Sequence, residues 1–94
     1  MSAHATRREG DTLAFAGLLT RARVPALWRP CMALLDGVRR FDLDAVEQVD
    51  SAGLAMLAGL AARAGKVEIS GAPPGLAELR AAYRLDDALA FARG

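Results

Sequence analysis

The sequence holds one cysteine, Cys31, and one histidine, His4, in 94 residues. An internal disulfide is therefore excluded, and so is a His/Cys zinc site, which needs several such ligands. Charge of neither sign dominates: 12 basic and 11 acidic side chains leave a formal net charge of +1, dispersed in ones and twos. A dedicated nucleic-acid binder relies on clustered Lys and Arg to neutralise phosphates, so that class is set aside. No apolar run approaches the ~20 residues that cross a bilayer, and direct membrane insertion is not expected. The opening MSAHATRREGD lacks the hydrophobic stretch of a secretory signal, which makes the cytoplasm the expected compartment. GAPPGL, residues 71–76, lacks the G-x-x-x-x-G-K-[ST] pattern that cradles phosphates and reads as a rigid turn.

What is present has the balance of a globular protein, with 53% hydrophobic and 24% charged residues. The length suffices for one core, so residues 1–94 are read as one domain. Thr6 to Glu9 and Thr12 to Leu19 have strand character and flank Gly10-Asp11, a tight turn, so the chain opens with a hairpin. Thr20 can cap a helix whose stripe is Val24, Leu27, Trp28, Cys31, Met32 and Leu35. Pro25 fits its first turn, whereas Pro30 removes a donor in the interior and predicts a kink or break. After Asp36-Gly37, RRFDLDAV alternates as a third strand, and Asp50 to Ala64 forms a second helix stopped at Gly65. KVEIS is a fourth strand with Val67 and Ile69 on one side. Pro74 opens a third helix with Leu76, Leu79 and Tyr83, and LDDALAF is a short last helix begun by Asp86. The order β-β-α-β-α-β-α-α predicts an α/β domain. Its sheet is small, mixed and four-stranded, with the helices mainly on one face.

The second helix carries little charge. At 100° per residue, Leu54, Leu57, Ala58, Ala61 and Ala64 share the side assigned to the sheet, and Ala52, Ala55, Met56, Gly59 and Arg63 fall opposite. An exposed face so small and apolar is expected to dock a partner protein, with Met56 adapting to its shape. On this reading Met56→Glu or Gly59→Arg abolishes partner binding and leaves the fold intact. Asp50 is the N-cap, and Ser51 is the first helical residue, with its hydroxyl at the positive end of the helix dipole. A phosphate on Ser51 would feel that dipole favourably and would be repelled by Asp50.

Ser51 lacks the general base a catalytic nucleophile needs, since His4 is the only histidine, and no catalytic residue or cofactor is assigned. Cys31 and Trp28 lie on the apolar stripe of the first helix and are read as core, the thiol as inert. Arg21, Arg23, Arg39 and Arg40 are read as solvated surface.

The residues FDLDAVEQVDSAGLAMLAGLAARAG and KVEISGAPPGLAELRAAYRLDDAL resemble the STAS domain family, which includes the anti-sigma factor antagonists, over nearly the whole chain. The resemblance implies the STAS fold, whose element order is the one read above. In the antagonist branch a Ser or Thr of the D-S-x-G-L motif is phosphorylated by a partner kinase that is also the anti-sigma factor. Ser51 matches that position. A second Ser or Thr often precedes the glycine there, where this chain has Ala52. The run Asp50 to Ala55, D-S-A-G-L-A, is more similar to MlaB-like proteins, the cytosolic STAS components of the Mla phospholipid-transport ABC system, which maintains outer-membrane lipid asymmetry. That likeness implies a non-catalytic subunit docked on the ABC ATPase, supporting its assembly and activity and associated with the inner membrane through that partner. The expected partner surface is Asp50, Ser51, Ala52, Gly53, Ala55, Met56, Gly59 and Arg63.

Overall fold

The computed structural model describes residues 6–85. Strand β1 (Thr6–Glu9) turns at Gly10, which has a positive φ of 59° that glycine adopts without strain, into β2 (Thr12–Leu19). The pair is antiparallel, with Thr6 opposite Phe15 and Glu9 opposite Thr12. Helix α1 (Val24–Ala33) then leads to β3 (Arg40–Val49), α2 (Ser51–Ala64), β4 (Glu68–Ser70) and α3 (Leu76–Ala82). The sheet order is β1-β2-β3-β4, and β2, β3 and β4 run parallel. The expected hairpin, parallel sheet and strand-helix-strand units are all present. The predicted short helix beginning at Asp86 lies outside the described residues.

One face of the sheet builds the core. Leu13, Phe15 and Leu19 of β2 and Phe41, Leu43, Val46 and Val49 of β3 are buried together with Leu27 and Cys31 of α1, Leu54, Met56, Leu57, Leu60 and Ala61 of α2, and Leu76 of α3. Phe15 and Phe41 meet edge to face at 5.4 Å, a favourable arrangement of ring quadrupoles. The inward residues of β3 are spaced two, three and three apart, not by strict alternation. The register explains it: between Ala14 and Ala16, and again between Gly17 and Leu18, β3 advances one residue more than β2. Each extra residue is a bulge that turns the next apolar side chain back to the core. The opposite face carries Ala14, Ala16, Asp42 and Ala45 outside the core.

Helix α1 departs from expectation at its cap. Its N-cap is Arg23 with no side-chain cap, and Thr20 contributes its backbone carbonyl instead, accepting from the amides of Arg23 (2.8 Å) and Val24 (3.0 Å). The helix also runs on through Pro30 without a break. Ala26, whose carbonyl loses its partner to the proline, and Pro30 itself both lie on the exposed side, where water can satisfy that carbonyl. Beyond the helix, Arg8 ties the hairpin to the following loop, donating to the carbonyls of Gly10, Leu34 and Asp36 at 2.6 Å each.

Helix α3 begins at Leu76 rather than Pro74, because its N-cap, Gly75, sits in the left-handed region at φ 89°. The predicted fourth strand shortens to Glu68–Ser70, while the third extends to Val49.

Candidate functional site

Asp50 stands where two parallel strands release the chain. Leu19 and Val49 are register partners at the C-terminal ends of β2 and β3, and the Asp50 amide donates to the Leu19 carbonyl at 3.2 Å. The Asp50 carboxylate accepts two backbone amides, Gly53 N–H on Oδ1 and Arg21 N–H on Oδ2, each at 2.9 Å. One side chain therefore caps α2 and fastens the loop from β2 to it. The Gly53 amide, then that of Arg21, hold the carboxyl below its ordinary value of 3.8; the Ala52 amide and the Arg21 charge add to this against the opposing effect of burial.

Gly53 sets how closely α2 approaches β2. A methyl group there would run into the Leu19 carbonyl oxygen and stand 2.7 Å from the carbonyl carbon, backbone that has nowhere to go. Leu54 is buried in the core. Within D-S-A-G-L, then, Asp50, Gly53 and Leu54 each have a duty in the fold, and the exposed hydroxyl of Ser51 has no partner among the described residues. The loop after β4 closes the same end: Val49 N–H donates to the Pro74 carbonyl at 3.4 Å, and a Cβ on Gly75 would lie 2.9 Å from the Val49 oxygen.

Beside this junction a groove of about 510 Å³ runs between the start of α2 and the end of α3. It is lined by Ser51, Ala52, Leu54, Ala55 and Ala58 of α2, by Arg21 and Asp50 of the two loops before the helices, and by Tyr83 and Leu85 after α3. Tyr83, at 48% exposure, is one of two large hydrophobic side chains standing in the open among the described residues.

Of the residues expected to face a partner, the structure brings Asp50, Ser51, Ala52 and Ala55 together on this groove. It corrects the placement of three others. Met56 is 3% exposed and belongs to the core. Gly53 is buried against Leu19, and Gly59 faces Trp28, whose ring atoms would lie 3.2 and 3.4 Å from a Cβ at that position. The expectation that Met56→Glu or Gly59→Arg spares the fold is therefore reversed. The reason is that α2 rests on α1 as well as on the sheet, so its buried arc is rotated toward Met56 and away from Ala58. Arg63 is exposed, but it borders a crevice with Met32, Leu35 and Asp36 at the C-terminal end of α1. About 18 Å of helix separates it from Ser51.

The outward stripe of α2 is accordingly Ser51, Ala55 and Ala62, exposed, with Ala58 partly covered. Ala58, Ala62, Arg21 and Leu85 are the residues sequence reasoning did not assign to this surface. Tracing the Met56 and Gly59 side to Trp28 of the first helix was the signal that would have found the two alanines.

No helix among the described residues is long and apolar enough to cross a membrane. Among them, too, there is no group of three or more His, Cys, Asp or Glu placed to hold a metal ion. A family model described as "Mlab, STAS domain" matches residues 2–91. No curated protein matches the chain.

Proposed function

The chain belongs to the MlaB-like STAS domain family, and from that premise we propose that it is a non-catalytic subunit docking on the ATPase of an Mla-type phospholipid-transport ABC complex. There it supports assembly and activity, and it associates with the inner membrane from the cytoplasmic side through that partner. The observation that carries this reading is the outward stripe of α2, where Ser51, Ala55, Ala58 and Ala62 present no charge and no bulk. Side chains this small let a partner's backbone come close, and burying them costs little conformational entropy. Asp50 and Gly53 hold that stripe rigidly against the sheet, so docking does not require the surface to be ordered first.

A second reading, a phosphorylation-controlled antagonist of an anti-sigma factor, draws on the exposed Ser51 hydroxyl at the α2 N-terminus beside Arg21. Gentle affinity purification of the tagged protein from its host separates the two. An ABC ATPase and its permease, recovered with unmodified Ser51, support the transporter subunit. A soluble kinase-like partner, with phosphate on Ser51 in the unbound pool, overturns it.

A further inference from the structure

One face of the sheet builds the core, and among the described residues the side chains of its other face are exposed or partly so. Strand β2 alternates strictly: Leu13, Phe15 and Leu19 are buried, and Thr12, Ala14, Ala16 and Leu18 fall on the outward face. The register carries that face across the neighbouring strands. Glu9, Thr12 and Arg40 form one outward row over β1, β2 and β3, and Arg7, Ala14 and Asp42 form the next. Each row has an uncharged residue at its middle and opposite charges at its ends, and the signs reverse from one row to the next. Asp44 adds a second carboxylate on the β3 side, where it lines a depression of about 430 Å³ with Arg7, Ala14, Ala16, Asp42 and Ala45. Leu18, at 39% exposure, is the large apolar side chain of this face. Within the chain Arg7 meets Glu9 at 3.6 Å and Arg40 meets Glu68 at 3.0 Å, exposed pairs that contribute little in water.

The pattern is complementary to itself. A twofold axis lying between two such sheets and running along β2 keeps every row at its own level and exchanges β1 for β3. Arg7 of one copy then stands over Asp42 of the other, and Glu9 over Arg40, each pair occurring twice. Along the axis Ala14, Ala16 and Leu18 meet their own counterparts, and the alanines let the sheets approach closely. An axis across the strands would also oppose unlike charges, but it overlaps these two rows alone and leaves Ala16 and Leu18 uncovered. We propose that this face joins two copies of the chain back to back, through the axis along β2. The proposal is independent of the docking reading, since the outward stripe of α2 lies on the helical side of the sheet and stays free in both copies. Three strands overlap, over about 14 by 26 Å at ordinary strand spacing and rise, which is small for a specific interface. The dimer is accordingly weak, with a dissociation constant on the order of 100 μM, and salt loosens it.

Sedimentation equilibrium of the full chain, from about 10 μM to about 1 mM, tests this. A monomer-dimer equilibrium that weakens as salt is raised is the expected result, and a monomer throughout, or association indifferent to salt, overturns the proposal. Arg7→Asp and Asp42→Arg should each weaken dimerisation about tenfold or more, because each sets like charges against one another. An equimolar mixture of the two variants should restore it, since the reversed β1 of one copy then meets the reversed β3 of the other. Failure of the mixture to associate overturns the axis and the proposal with it. Asp42 also accepts the Asp44 amide at 2.9 Å; should its variant fail to fold, Glu9→Arg mixed with Arg40→Glu makes the same exchange. Dimerisation abolished by Ala55→Glu and untouched by Arg7→Asp would move the contact to α2 and overturn the back-to-back dimer.

Discussion

A single carboxylate organises the motif. Asp50 joins the first turn of α2 to the Arg21 loop through two amide hydrogen bonds of 2.9 Å, and Gly53 permits the contact with Leu19 that brings those amides into reach. Replacing Asp50 by Ala should cost about 1 kcal/mol or somewhat more in urea unfolding at neutral pH, the usual loss for an N-cap. Asp50→Asn should retain most of that contribution, because its side-chain oxygen still accepts an amide. Acid separates the two chains. The folded Asp50 carboxyl titrates below its ordinary 3.8, so its share of stability is complete above that value and is lost as pH falls through the lowered one. The Asn variant should lack this component of acid destabilisation in a stability profile between neutral pH and strong acid. Ser51→Ala should leave stability unchanged, since the cap is Asp50 and the Ser51 hydroxyl is unengaged among the described residues.

Helix α2 shows how an element's orientation follows from its neighbours. Considered alone, its residues admit a wide range of rotations, because alanine, glycine, methionine and leucine surround it and no charged flank marks the water side before Arg63. Trp28 of α1 settles the matter by covering Gly59, and Met56 turns inward on the same side. Two substitutions one residue apart should therefore behave oppositely. Met56→Glu buries a charge without a partner and should destabilise by about 3 kcal/mol or more. Ala55→Glu, on the exposed stripe, should change stability by no more than about 0.5 kcal/mol and abolish recovery of the docking partner. Thermal unfolding of the two variants, read beside a pull-down, checks both halves. Destabilisation by Ala55→Glu, or tolerance of Met56→Glu, would reverse the assigned orientation of the helix.

At the scale of the molecule, all three described helices and one face of the sheet share a single set of buried side chains, so access to any part of the core requires the others to open. Cys31 reports on this. Its side chain is 0% exposed, and its sulfur lies 3.3 Å from the Thr6 hydroxyl of the edge strand. Burial pushes the thiol above its ordinary value, only partly offset by the Thr6 bond, so thiolate is scarce as well as inaccessible. Reaction with a soluble thiol reagent should be slowed about a thousandfold or more relative to the unfolded chain, and its rate should rise with urea in parallel with global unfolding. Rapid reaction in the native protein would place the α1–β1 contact in a separately opening unit.

Local signals in the sequence determined the elements and their order. The Gly10-Asp11 turn, the Asp50 cap, the Gly65 stop and the alternation around Phe41 act over a few residues, and the hairpin and parallel strand-helix-strand units stand where those signals put them. They also identified the D-S-A-G-L junction and the fold family. Only tertiary structure decided which arc of α2 faces water, that α1 continues through Pro30, and that bulges in β3 carry Val46 and Val49 to the core. Each of these depends on what a distant segment covers: Trp28 on Gly59, solvent beside Ala26, and β2 as the shorter partner of β3. Hydrophobic burial has no direction of its own, so a helix apolar on nearly every side takes its orientation from the surfaces that the rest of the chain supplies.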